Sequence, residues 1–66
     1  MDRDTIRRIR EAVRLGRLGK AFTAIKVNKV LKIHWAGTFL PKHRVGNPGG
    51  YTELFVRIEA GVYRLK

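Results

Sequence analysis

Gly37-Thr38-Phe39-Leu40-Pro41-Lys42-His43-Arg44-Val45-Gly46-Asn47-Pro48-Gly49-Gly50 is the stretch on which the reading of this chain turns. Its first half sets Lys42, His43 and Arg44 in a row behind the apolar pair Phe39-Leu40. Its second half, from Gly46 to Gly50, is a run of residues that break regular structure. A period-two pattern follows at once. The spacing predicts a short basic helix over 38–44, then a Gly/Pro loop, then a hairpin. Pro41 constrains the helix, because proline is tolerated in a first turn but breaks a helix interior. With Gly37 or Thr38 as cap, Pro41 falls in that first turn. If the helix instead begins at Trp35, Pro41 would end it.

Downstream, residues 51–59 and 62–65 read as two strands. Leu54, Val56 and Ile58 alternate with Phe55, Arg57 and Glu59, which is period two. Ala60-Gly61 is the turn, with glycine supplying a positive φ. A two-residue loop pairs Ile58 with Tyr63, Arg57 with Arg64 and Val56 with Leu65. That register gathers Leu54, Val56, Ile58, Tyr63 and Leu65 on one face and sets Arg57 beside Arg64 on the other. Like charges directly opposite are unfavourable in a free hairpin, and a bound phosphate would relieve them.

Upstream, residues 2–15 read as a helix. Ile6, Ile9 and Val13 share one face, with Ala12 beside them. Asp2 and Asp4 are the candidate N-caps, and their charge suits the positive end of the helix dipole. Gly16 is the expected left-handed C-cap, and Leu15 and Leu18 are expected to tuck under the fold. The helix arginines read mainly as a solvated face. Phe22 is a core anchor in a short bridge. Thr23 caps a second helix over 24–32, without a capping box because Lys26 stands at its third position. Val27, Val30 and Leu31 form its apolar stripe, with Ile33 closing it, while Lys26, Lys29 and Lys32 recur on the other side. Its β-branched residues make a strand the competing assignment. Residues 34–37 are the turn, where Gly37 takes a positive φ or lets two helices approach. Trp35 is read there as a packing residue rather than a stacking platform.

Sixty-six residues bound this to one domain, 1–66, with no cysteine to staple it. The hydrophobic fraction of 44% is ordinary for a globular fold and argues against a disordered basic tail. No apolar run approaches the ~18–20 residues of a membrane span, and a start charged from Asp2 onward does not resemble a signal peptide. A cytoplasmic setting is expected, with the nucleoid as its location if the partner is DNA. The net charge is +10, and it is unevenly spread. Residues 21–50 hold five basic groups and no acidic one, since no carboxylate occurs between Glu11 and Glu53. Such a domain repels itself unless a polyanion neutralises it, and nucleic acid is the commonest such partner.

Helix, short strand, helix, turn, helix, Gly-rich loop, hairpin: this order resembles the winged helix-turn-helix family over nearly the whole chain. The more specific part is Leu54-Phe55-Val56-Arg57-Ile58-Glu59-Ala60-Gly61-Val62-Tyr63-Arg64-Leu65, similar to the last hairpin of short prokaryotic winged modules, some of which accompany restriction–modification proteins. The resemblance implies an α+β fold of three short helices followed by a C-terminal β-hairpin wing over 51–66. It implies duplex DNA binding of the kind used in transcription regulation. The third helix would enter the major groove, so that Thr38, Lys42, His43 and Arg44 face bases and phosphates. Arg57 and Arg64 would be wing contacts. Lys26 and Lys29 of the second helix could meet a phosphate strand.

Three alternatives stay open. RNA could stack on Tyr51, Phe55 and Tyr63. The charge could face an acidic protein partner, which an exposed apolar patch on the first helix would favour. A homodimer through that helix, or membership of a larger assembly, is compatible with the same residues. Catalysis finds little support: the five acids have no spacing that forces a pair together. His34 and His43 make no metal pair, and the Gly-Asn-Pro-Gly-Gly run lacks the Gly-Lys-Ser/Thr of a nucleotide-hydrolase loop. No cofactor is expected.

Overall fold

The computed structural model describes residues 2–66, with side chains from Arg3 onward. The element order is α1 (Asp2–Arg14), β1 (Phe22–Thr23), α2 (Ala24–Leu31), α3 (Ala36–Lys42), β2 (Phe55–Glu59) and β3 (Val62–Leu65). Three helices cover one three-stranded antiparallel sheet of order β1-β3-β2. The chain is therefore a small α+β domain, and the C-terminal hairpin is completed by β1 rather than standing alone.

α1 buries Thr5, Ile9 and Ala12, while Ile6 and Val13 pack against the rim of the core. It ends where Gly16 turns to φ +77°. There the Arg17 N–H reaches the Ala12 carbonyl (2.8 Å) and the Gly16 N–H the Val13 carbonyl (3.0 Å). Those are the paired bonds of a Schellman cap. Asp4 is not a cap: it lies inside the first turn and pairs with Arg7 at 2.6 Å. The side chain of Asp2 lies outside the described residues. Leu15 also departs from expectation and is half exposed, whereas Leu18 is fully buried. The cap reverses the chain between them, so only one can turn inward.

Thr23 caps α2 as its sequence predicts, its Oγ1 accepting from the Lys26 N–H at 3.2 Å. α2 stops one residue early because Lys32 takes the left-handed conformation (φ 57°, ψ 48°). The residue that organises the next turn is Asn28. Its carbonyl accepts from the Ile33 N–H (3.0 Å), and its Oδ1 accepts from the Ala36 N–H (3.0 Å). One side chain of α2 thus caps the start of α3.

That cap moves α3 upstream of the 38–44 expected from sequence. Ala36, Phe39, Leu40 and His43 are all buried, at the i, i+3, i+4, i+7 spacing of a single helical face. Pro41 is consequently not in the first turn. It is the sixth of seven helical residues, where it removes the bond to the Gly37 carbonyl and confines the helix to two turns. Gly37 is exposed, with no positive φ and nothing within 4 Å of where a Cβ would stand. It serves neither of the roles expected of it.

The hairpin register also differs. The Ala60-Gly61 turn forms with Gly61 at φ +76°, and Glu59 pairs with Val62. Ile58 is then passed over as a bulge, so Arg57 lies opposite Tyr63, Val56 opposite Arg64 and Phe55 opposite Leu65. A one-residue shift exchanges the two faces of a strand. Phe55 becomes the centre of the core at 0% exposure, and Ile58 is left 51% exposed. The Phe22 and Phe39 rings meet Phe55 edge-on, with centroids 6.2 and 5.8 Å away. Arg57 and Arg64 are no longer opposite each other.

Candidate nucleic-acid interface

Because α3 buries positions 36, 39, 40 and 43, its outward face is formed by Gly37, Thr38, Pro41 and Lys42. Opposite that face runs the segment of residues 44–51. The two walls enclose an open groove lined by Thr38, Lys42, Arg44, Asn47 and Tyr51, among others.

The groove's second wall is irregular but held at several points. Asn47 Oδ1 accepts from the Tyr51 N–H (2.8 Å), and its Nδ2 donates to the Tyr51 and Arg44 carbonyls (2.9 Å each). The Gly46 N–H donates to Glu53 Oε2 at 2.8 Å. Lys66 lies 3.5 Å from the other oxygen of Glu53. The Gly46 N–H, reinforced by Lys66, holds the Glu53 carboxyl below the usual carboxylate range. The start of the segment is tied to the sheet: the Leu54 N–H donates to the His43 carbonyl and the Val45 N–H to the Phe55 carbonyl, each at 2.7 Å.

Tyr51 lines the groove. Lys42 Nζ sits 4.6 Å from its ring centroid, a cation–π distance. The His43 ring meets it edge-on at 5.9 Å, and Gly49 packs so close that a Cβ there would stand 2.8 Å from Tyr51 Cδ2. Arg44 also lines the groove, its Nη1 3.3 Å from both the Val45 and Gly46 carbonyls. Among the described residues no carboxylate lines the groove.

Of the residues singled out from sequence, Thr38, Lys42 and Arg44 come together here. His43 does not: it is 6% exposed, packed at a tilt against the Phe39 ring (4.7 Å) and bonded through Nδ1 to the Thr52 carbonyl (2.9 Å). Standing between Lys42 and Arg44 it reads as a surface residue, but its spacing from Phe39 and Leu40 marks the buried stripe. Arg57 and Arg64 are exposed on the hairpin, outside the groove, and Arg64 folds back on the Leu65 carbonyl (3.1 Å). Lys26 and Lys29 are exposed on α2, also outside it. Tyr51, Asn47 and Gly49 are among the groove residues that sequence reasoning did not assign to it. The signal was the loop itself, since Asn before Pro-Gly-Gly is a residue able to bond its own backbone.

Two of the three aromatics considered for RNA stacking are core residues, Phe55 and Tyr63. On α1, Arg7 pairs with Asp4 and Arg14 with Glu11, and Arg8 caps the Leu31 carbonyl at the end of α2. The outward side of α1 is therefore charged rather than an apolar patch. Among the described residues no group of three or more His, Cys, Asp or Glu could hold a metal, and no helix is long and apolar enough to cross a membrane.

Fold and groove together define a small basic α+β domain with an acid-free cleft beside its third helix. Comparison with protein-family models, with curated proteins and with solved structures finds no match for the chain.

Proposed function

We propose that this domain binds duplex DNA as a winged helix-turn-helix module. The order helix, strand, helix, helix, strand, strand with sheet order β1-β3-β2 supports the architecture, as does the Asn28 link between α2 and α3. The observation that carries the reading is the groove: Thr38, Lys42 and Arg44 converge on one cleft with no carboxylate, in a chain of net charge +10. Thr38 and Lys42 stand on the exposed face of the third helix, where groove contacts are made in such modules. That face also carries Gly37 and Pro41, which offer bases no side-chain hydrogen bonds. The contacts are accordingly weighted toward phosphate, with little base readout from a single copy.

Fluorescence anisotropy with a random duplex, a matched single strand and a structured RNA, each across a salt series, tests this. The expected result is a duplex preference whose log affinity falls steeply with log salt. Replacing Lys42 and Arg44 together by alanine should weaken duplex binding about tenfold or more in modest salt, since a good contact contributes roughly 1–3 kcal/mol. Wild-type protein that binds none of the three at low salt would sink the proposal.

A further inference from the structure

In a winged module the expected partner of the third helix is the β2–β3 hairpin. Here the hairpin is poorly equipped for that work. Its turn is only Ala60-Gly61, and exposed Glu59 lies directly beside it, where a phosphate would approach. No basic residue lies between Arg57 and Arg64. The bulge at Ile58 sets Arg64 opposite Val56 and Arg57 opposite Tyr63, so the two guanidiniums leave on different faces of the ribbon.

The segment after α3 has the opposite character. It has little regular structure, yet the three hydrogen bonds of Asn47 and the Glu53–Gly46 bond fix it. A loop so held loses little conformational entropy when a ligand arrives. It faces α3 across a cleft whose polar lining is Thr38, Lys42, Arg44, Asn47 and Tyr51. Gly37, with nothing within 4 Å of where a Cβ would stand, leaves the α3 wall free of a side chain at one point, where a bulky strand can come close to protein backbone.

Resting on the duplex-binding reading, we infer that the cleft between α3 and residues 46–51, rather than the β2–β3 hairpin, seats the sugar-phosphate backbone of one DNA strand, with Tyr51 as the residue that positions Lys42. The choice of backbone over an unstacked base follows from the ring's surroundings. Tyr51 is half exposed, but Lys42 lies over its ring and Gly49 packs against it, so the ring is already engaged by the protein where a base would stack. What it does is hold the ammonium. A lysine resting on an aromatic face keeps donors free for an anion while its long side chain loses rotamers before binding rather than during it. The occupant's charge is set by the lining, which has two cations and no acid.

The test uses the full chain and a fluorescent duplex of random sequence in low salt, with folding checked by thermal melts. Gly49→Val places a branched side chain where the Tyr51 ring lies. Gly49 is outside the left-handed region, so the variant displaces the ring without straining the backbone. Tyr51→Leu removes the ring. Each is expected to weaken duplex binding about five- to tenfold, the range of a lost positioning contact. The Arg57→Ala/Arg64→Ala double variant is expected to lose less than about threefold, the small loss that peripheral charges make. Lys42→Ala made in the Tyr51→Leu background should cost little more than Tyr51→Leu alone, which a merely structural tyrosine would not produce. Losses confined to the hairpin variant, with Gly49→Val and Tyr51→Leu unchanged, would overturn the inference while leaving duplex binding intact. A single strand outcompeting the duplex would assign the cleft to bases and overturn it too. A wild-type chain that binds no duplex would remove the parent reading with it.

Discussion

The Asn28 side chain reaches out of α2 to accept the backbone N–H of Ala36 at 3.0 Å, the first residue of α3. Trp35, the residue in the N-cap position, makes no capping bond with its own side chain. A helix of two turns interrupted by proline is marginal by itself, so this link decides whether α3 forms where it does. Asn28→Ala should destabilise the domain by about 1–2 kcal/mol, the usual loss for a removed cap. In a chain this size that lowers the melting temperature by roughly 5–15 °C. Asn28→Asp keeps the acceptor and should recover most of the loss in circular-dichroism melts. Equal melting of Asn28→Ala and wild type would show that α3 is positioned by packing alone.

A second prediction concerns the hairpin. Phe55 is fully buried between Phe22 and Phe39, whereas Ile58 is half exposed at the bulge. Phe55→Ala should cost about 3–5 kcal/mol. That equals the margin of ~3–5 kcal/mol available to an unstapled domain of this length, so the variant should not fold. Phe55→Leu should fold with a lowered urea midpoint. Ile58→Ala should change stability by less than about 0.5 kcal/mol, as exposed positions do. The register without a bulge requires the reverse order, and urea titration of the two variants distinguishes them.

Those two sites also show where the sequence was legible. Signals that are local and have one solution were readable: Gly16 after the α1 stripe, Thr23 before α2, Ala60-Gly61 between strands, and the break at residues 46–50. The β2 register was not, because the alternation sets the aliphatic Leu54, Val56 and Ile58 against Phe55, Arg57 and Glu59 and so points to the aliphatic set as the core face, whereas Phe55 alone takes the core position. The bulge that decides between them leaves no mark in a two-letter pattern. The start of α3 was not legible because its cap comes from eight residues upstream. Once that start is known, His43 falls on the buried stripe and leaves the predicted site, while Thr38, Lys42 and Arg44 remain together. The groove's far wall was visible only as an absence of regular structure, since the bonds of Asn47 depend on how the loop closes.

A third prediction follows from Glu53. Its carboxylate accepts the Gly46 N–H and faces Lys66, and its pKa is lowered first by that backbone bond and then by Lys66. A carboxyl whose folded pKa lies below its unfolded one contributes stability above the unfolded value and loses it as pH falls through the folded one. The loop should therefore stay ordered through neutral and mildly acidic pH and loosen only below the ordinary glutamate value of about 4.3. Amide spectra recorded down the pH scale should show Gly46 moving with a midpoint below that of a free glutamate peptide. Glu53→Gln should abolish that transition. A Gly46 midpoint at or above the free-peptide value would mean the bond does not persist in solution.

The last prediction sets folding against charge at Lys32. This residue holds φ 57° and ψ 48°, a conformation that costs an L-residue about 1–2 kcal/mol and glycine almost nothing. Glycine gives back roughly 0.5–1 kcal/mol through the greater freedom of its unfolded chain. Lys32→Gly should therefore stabilise the domain by about 0.5–1 kcal/mol and raise the melting temperature by several degrees. The side chain it removes is one of the exposed cations of a segment without acids, and if the domain binds DNA, each phosphate contact adds about 0.9 to the salt slope. The expected variant is thus more stable and binds duplex about two- to threefold more weakly in low salt, a small loss of the size that peripheral charges make. A melting temperature that falls would show that Lys32 makes a contact outweighing its strain. Unchanged affinity with the raised melting temperature would place Lys32 off the DNA path and confine the contact surface to the cleft beside α3.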